Sequence, residues 1–192
     1  FEARAARGFA VAWLDSGDVR DRYGFDAPCA ILSRTGAQVD SYRLALRIFA
    51  KLRDAGVHVH DRTRVEDIVP DARGVTLRTD AGATVRARHV VLAAGYAGQS
   101  WLRQRVARNR SSYAFVTDPI APERLGALRR TLLWETARPY LYLRTTADRR
   151  LLIGGEDDDV DIPARRDRRV DAKARRLMKR VAKLWPALDL TP

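Results

Sequence analysis

The chain has 192 residues, of which 31% are charged, and a net charge of +12. That length suits one domain, or two small halves that share a core. A single cysteine, Cys29, excludes an internal disulfide framework and any cysteine-based metal cluster, and fits a reducing, cytoplasmic compartment. No apolar run approaches the ~20 residues of a membrane span.

In chain order, residues 1–14 are rich in Ala and Arg and read as the end of a helix. Asp15-Ser16-Gly17-Asp18 reads as a turn or a new cap, residues 22–28 as a loop, and residues 30–32 as a short extended piece that Gly36 breaks. Asp40 suits an N-cap and opens a helix over about residues 41–55, with Ala45, Ile48, Phe49 and Leu52 on one face. Gly56 takes the position where a left-handed residue ends a helix. Residues 57–60 then read as a strand, and helix followed at once by strand is the αβ half of a parallel-sheet unit. Residues 65–69, 75–79 and 84–88 alternate, with turn residues between them, and predict a three-stranded meander. Val90-Val91-Leu92-Ala93-Ala94 is unbroken apolar sequence, the mark of a strand buried on both faces, and Gly95 ends it.

The second half predicts a short helix over 101–109, strands at 113–116, 132–135, 140–144 and 151–154, and an acidic loop from Gly155 through Asp159. A long helix over 165–184 follows, stopped by Pro186. Val170, Ala174, Leu177, Val181 and Leu184 form its core-facing stripe. Residues 165–183 hold ten basic and two acidic side chains. Such a stretch could bind nucleic acid through phosphate contacts. No aromatic residue interleaves the basic ones, so the solvated face of an amphipathic helix is the favoured reading and the nucleic-acid module the alternative.

No His, Cys, Asp and Glu set has metal-ligand spacing. His58 and His60 share one face without a third ligand. Hydrolase motifs are absent. Tyr140, Tyr142 and Arg144 alternate along one strand and so share one face. An Ala94-Gly95 strand end lets a ligand approach the backbone, because glycine has no Cβ, and ligands of open α/β sheets sit at such carboxyl ends.

Taken together, Gly36 to Asp40, Gly56 to Val59, Thr63-Arg64-Val65 and Val90 to Gly95 resemble successive motifs of the D-amino-acid oxidase and glycine oxidase family of FAD-dependent oxidoreductases. Tyr140 to Arg144 followed by Arg150 to Glu156 resembles that family's substrate-domain strand pair. The resemblance implies an α/β (α+β) fold. Residues 40–100 would be part of an FAD-binding Rossmann-like domain with a three-stranded meander. Residues 1–39 and 101–192 would form an antiparallel-sheet substrate domain with a long helix. It implies FAD as cofactor, with Val65 facing the adenine and Ala94 and Gly95 lying along the ribityl and pyrophosphate region. Arg144 would grip a substrate carboxylate, with Tyr140 and Tyr142 lining the same cavity, and no residue is assigned as catalytic. The implied reaction is oxidation of a small amino- or hydroxy-acid by hydride transfer to flavin.

Two positions depart from the family pattern: Ser41 stands where a proline is usual, and Ala97 where a tryptophan often follows the sheet-end glycine. A G-x-G-x-x-G phosphate loop is absent from the 192 residues. The chain begins at Phe1 with Met178 its one methionine, and reads as a piece of a longer protein that alone holds no FAD and is inactive.

Overall fold

The computed structural model describes residues 1–160, 162–188 and 190. The chain divides into two compact units, one of residues 1–38 with 108–192 and one of residues 39–107. The fold is mixed α/β, and every strand pairing among the described residues is antiparallel.

In the first unit, α1 (Glu2–Ala5) is a single turn and β1 (Val11–Asp15) follows. The helix expected over 1–14 is therefore mostly replaced. β1 pairs with β2 (Cys29–Ser33) along its whole length, from Val11 opposite Ser33 to Asp15 opposite Cys29. A full ladder of this kind overrides the weak helix preference of Ala and Arg. Asp15 caps α2 (Ser16–Tyr23) in a reciprocal box with Asp18, and Gly24 ends it in the left-handed conformation.

The second unit opens with α3 (Ser41–Asp54), whose N-cap Asp40 accepts from the Arg43 amide. The meander forms as β3 (Val65–Asp71), β4 (Gly74–Thr79) and β5 (Thr84–Ala87), in that spatial order. The strands expected at 57–60 and 90–94 do not form, and no parallel unit is present among the described residues. A strand needs an edge to exchange hydrogen bonds with, and β3, β4 and β5 pair only with one another. The expected buried run is accordingly open, with Val91 86% exposed. The helix expected over 101–109 is replaced by a 3-10 stretch at Gly95–Trp101.

The rest of the chain returns to the first unit. It comprises β6 (Ser111–Val116), α4 (Pro122–Leu125), β7 (Leu132–Trp134), β8 (Leu141–Thr145), β9 (Leu151–Asp158), α5 (Pro163–Asp167) and α6 (Val170–Leu184). The sheet order is β6-β9-β8-β7. Leu141, Leu143, Leu151 and Ile153 are buried with Leu177 and Val181 of α6, and Trp185 and Leu188 belong to the same core. The α6 stripe differs from the expected one. Val170 is exposed, whereas Lys173 is buried beside Leu177 and Val181.

A lysine can occupy that stripe because of β9. The acidic stretch expected to be a solvated loop is strand as far as Asp158, and Glu156 is 7% exposed. Between Tyr113 opposite Gly155 and Ser111 opposite Asp158, two steps on β6 span three on β9. This is a β-bulge, with Gly155 at φ 138 and Glu156 at φ 53. A bulge shifts the alternation by one. Glu156 and Asp158 therefore join Leu151 and Ile153 on the α6 side, where both reach Lys173. An alanine at Gly155 would place its Cβ 2.0 Å from the Tyr140 carbonyl oxygen, so the bulge requires glycine there.

Candidate functional site

The face of the sheet away from α6 carries a cavity of about 720 Å³. That size falls within the range of small-molecule sites. Its floor is β7 and β8, contributing Leu132, Trp134, Tyr142 and Arg144, with Leu152 of β9 beside them. Arg144 stands opposite Leu132 on one side and Leu152 on the other. Strand alternation sends Leu141, Leu143 and Thr145 into the buried side and leaves Tyr142 and Arg144 half-buried on the open side. Tyr140, just before β8, lines the cavity too, with its ring centroid 6.0 Å from that of Tyr142. The three residues expected on one face are thus together around one cavity.

Tyr142 lies flat across Gly154. A Cβ at that glycine would meet the ring's Cζ and hydroxyl at 2.3 Å, so the missing side chain makes room for the ring. The influence of the Asp157 carboxylate, followed by burial, holds the Tyr140 phenol above the ordinary value. The Arg138 guanidinium sits 5.2 Å from the Tyr140 ring centroid, within cation–π range.

The charges of the cavity differ in how they are engaged. Glu135 on the rim accepts from Arg180 of α6, whose guanidinium also donates to the Pro139 carbonyl (3.0 Å) and to Glu156 (3.3 Å). Burial lowers the Arg180 pKa. Arg144 makes no ion pair or side-chain hydrogen bond among the described residues. The acidic run that could have engaged it is taken by Arg169, Lys173, Arg176 and Arg180. A half-buried guanidinium with all five N–H donors free is suited to gripping a carboxylate through two parallel bonds.

Sequence reasoning did not single out Trp134, Glu135 or Arg138. The alternation of Leu132 with Trp134 was legible as a strand, but its pairing with β8 was not.

The residues expected to face a cofactor lie in the other unit. Val65 is half-buried at the head of β3 opposite Thr79. Ala94 is exposed and precedes Gly95, which has φ 55 and open space where a Cβ would stand. A planar group can approach the backbone there, so the residues present fit the side of a large cofactor. Among the described residues no group of three His, Cys, Asp or Glu could hold a metal ion. The rings of His58 and His60 stack 6.3 Å apart. No described helix is long and apolar enough to cross a membrane.

The sequence model of the family described as FAD dependent oxidoreductase matches residues 1–192. No curated protein matches the sequence. In fold the chain is similar to glycine oxidase from Geobacillus kaustophilus, with a TM-score of 0.76 and 23% identity over 98% of this chain and 50% of that one. It is also similar to the open form of NikD, described as an unusual amino acid oxidase essential for nikkomycin biosynthesis. There the TM-score is 0.67 at 21% identity, over 100% of this chain and 53% of that one. The chain therefore spans about half the length of these solved structures.

Proposed function

Since this chain belongs to the FAD dependent oxidoreductase family, we propose that it serves in the oxidation of a small amino- or hydroxy-acid by hydride transfer to FAD. Residues 1–38 with 108–192 take the substrate, and residues 39–107 take part of the cofactor. The observation that carries this reading is the unpaired, half-buried Arg144 in a cavity with Tyr140 and Tyr142.

Arg144 holds the substrate carboxylate by a bidentate, charge-assisted grip that fixes the position of the carbon next to it. Trp134 and the two tyrosines pack against the remainder of the substrate and exclude water from it. Glu135, neutralised by Arg180, adds little opposing charge at the rim. Val65, Ala94 and Gly95 hold the cofactor through backbone approach. FAD, when bound, accepts the hydride. With no glycine-rich phosphate loop in its 192 residues, this chain by itself holds no flavin and turns over no substrate.

The test is Arg144→Met in the flavin-loaded enzyme. Loss of a charge-assisted pair should lower kcat/KM for acidic substrates about 10- to 100-fold, while neutral analogues change little. Equal effects on both substrate types would remove the carboxylate role.

A further inference from the structure

One side chain of α6 reaches past the helix–sheet core to the wall of the cavity. Residues three or four apart share a helix face, so Arg180 borders the stripe of Lys173, Leu177 and Val181. Lys173 spends its donors on β9, at Glu156 and Asp158. Arg180, two turns further along, bridges three pieces of chain. Its Nη1 donates to the Pro139 carbonyl at 3.0 Å and to Glu156 Oε1 at 3.3 Å, and its Nη2 donates to the Glu135 carboxylate. Glu135 directly follows β7, Pro139 lies two residues before β8, and Glu156 belongs to β9. The segment between Glu135 and Pro139 has few ties of its own. The Glu135 amide donates to the Leu141 carbonyl at 3.0 Å, but residues 136–138 make no backbone hydrogen bond among the described residues. Glu135, Thr136, Arg138 and Tyr140 nevertheless all line the cavity. Neither helix nor sheet ladder fixes this wall, and Arg180 grips it at both ends.

We propose that Arg180 is a positioning residue for the substrate cavity, tying both ends of the 135–139 segment to β9 and so setting the wall that carries Thr136, Arg138 and Tyr140. The proposal rests on the reading of that cavity as the substrate site. Arginine suits this task and lysine does not. A guanidinium holds five N–H donors in a rigid planar fork and can bridge three acceptors, whereas an ammonium is a compact point charge. The Glu135 and Glu156 carboxylates offset the cost of drawing that charge out of water. Arg180 does not itself line the cavity, so it acts through the segment. This separates its role from that of Arg144. Arg144 meets the substrate carboxylate and discriminates by charge. Arg180 holds a wall against which any substrate lies, so its loss falls on acidic and neutral substrates alike.

The first test needs no substrate. In Arg180→Met, amide hydrogen exchange of this chain should quicken over residues 135–141, while β6 and α6 keep their wild-type protection. Arg180→Lys, which keeps the charge but not the fork, should quicken the same residues. Arg176→Met removes a cation 3.8 Å from Glu156 without touching the segment, and should leave them unchanged. Unchanged exchange in Arg180→Met, or the same change in Arg176→Met, overturns the proposal. Quickening across the whole unit in both Arg180 variants is general destabilisation and overturns it too. In the flavin-loaded enzyme, Arg180→Met should lower kcat/KM about 10- to 100-fold for acidic and neutral substrates alike. In a Tyr140→Ala background, where the wall is already cut back, the same change should cost about twofold or less. A full cost in both backgrounds, or full activity in Arg180→Lys, would mean that the fork does not act through this wall. Failure of the Arg144→Met test would remove the carboxylate reading alone, since hydrogen exchange decides the hold of Arg180 on the segment without any substrate.

Discussion

The two units of this chain place their apolar residues differently. In residues 1–38 and 108–192, a continuous core runs from Tyr113 and Leu141 through Ile153 to Leu177, Val181 and Trp185. In residues 39–107, Thr79 is the one buried residue among those described, and Leu44, Ile48, Phe49 and Leu52 of α3 are all exposed. Both units contain amphipathic sequence. An amphipathic helix gains stability mainly from the face it packs, not from its intrinsic preference. In the first unit α6 has the sheet to cover. In the second, α3 covers no core of its own.

Single substitutions can break this comparison. The largest effect is expected at Lys173, whose ammonium donates to the Glu156 carbonyl at 2.8 Å and faces the Glu156 and Asp158 carboxylates at 3.7 Å. Lys173→Ala strips the Glu156 carbonyl of its donor and takes the buried cation from two acids that keep only Arg169, Arg176 and Arg180, and should cost about 3 kcal/mol in denaturant unfolding. Phe49→Ala on α3 should stay within about 0.5 kcal/mol, as exposed positions do. Similar losses at both sites would erase the distinction between the units.

The two glycines of β9 sharpen it further. Gly155→Ala must displace the Tyr140 backbone while holding φ 138, and should cost about 2–3 kcal/mol. Gly154→Ala meets only the Tyr142 ring, which can swing aside. Its thermal stability should change by less, about 1 kcal/mol, while substrate binding at the cavity weakens. Equal stability losses would mean that the bulge is not the stricter requirement.

The smallest effect is one of pH. The hydrogen bond from Arg169 holds the Asp158 carboxyl below its ordinary range, and this outweighs its partial burial. A carboxyl lowered on folding contributes stability that is fully present above its unfolded pKa, about 3.9. That contribution is lost as pH falls through the lower folded value. Acid unfolding of the wild type should therefore steepen below about pH 4, and Asp158→Asn should flatten that limb. An identical acid limb in the variant would show that the Arg169 pair contributes nothing.

Much of this molecule was legible residue by residue. The meander between Val65 and Ala87, the cap at Asp40, the strand pair around Tyr142 and Ile153, and the family resemblance all rest on local pattern and motif order. They needed only alternation, turn residues and glycines at fixed offsets. Arg144, Tyr140 and Tyr142 share a face because a strand alternates, which the sequence already states. What local pattern could not supply was pairing. Residues 57–60 and 90–94 have strand composition but no edge to join among the described residues. Lys173 lies on the core stripe because Glu156 and Asp158 turn toward it, more than ten residues earlier in the chain. Glu156 and Asp158 turn to that side only because a bulge shifts the alternation by one between two strands. Composition and periodicity are properties of neighbours along the chain. Register, bulges and the partner of a buried charge are properties of neighbours in space, and these decided which of the acids brace the helix.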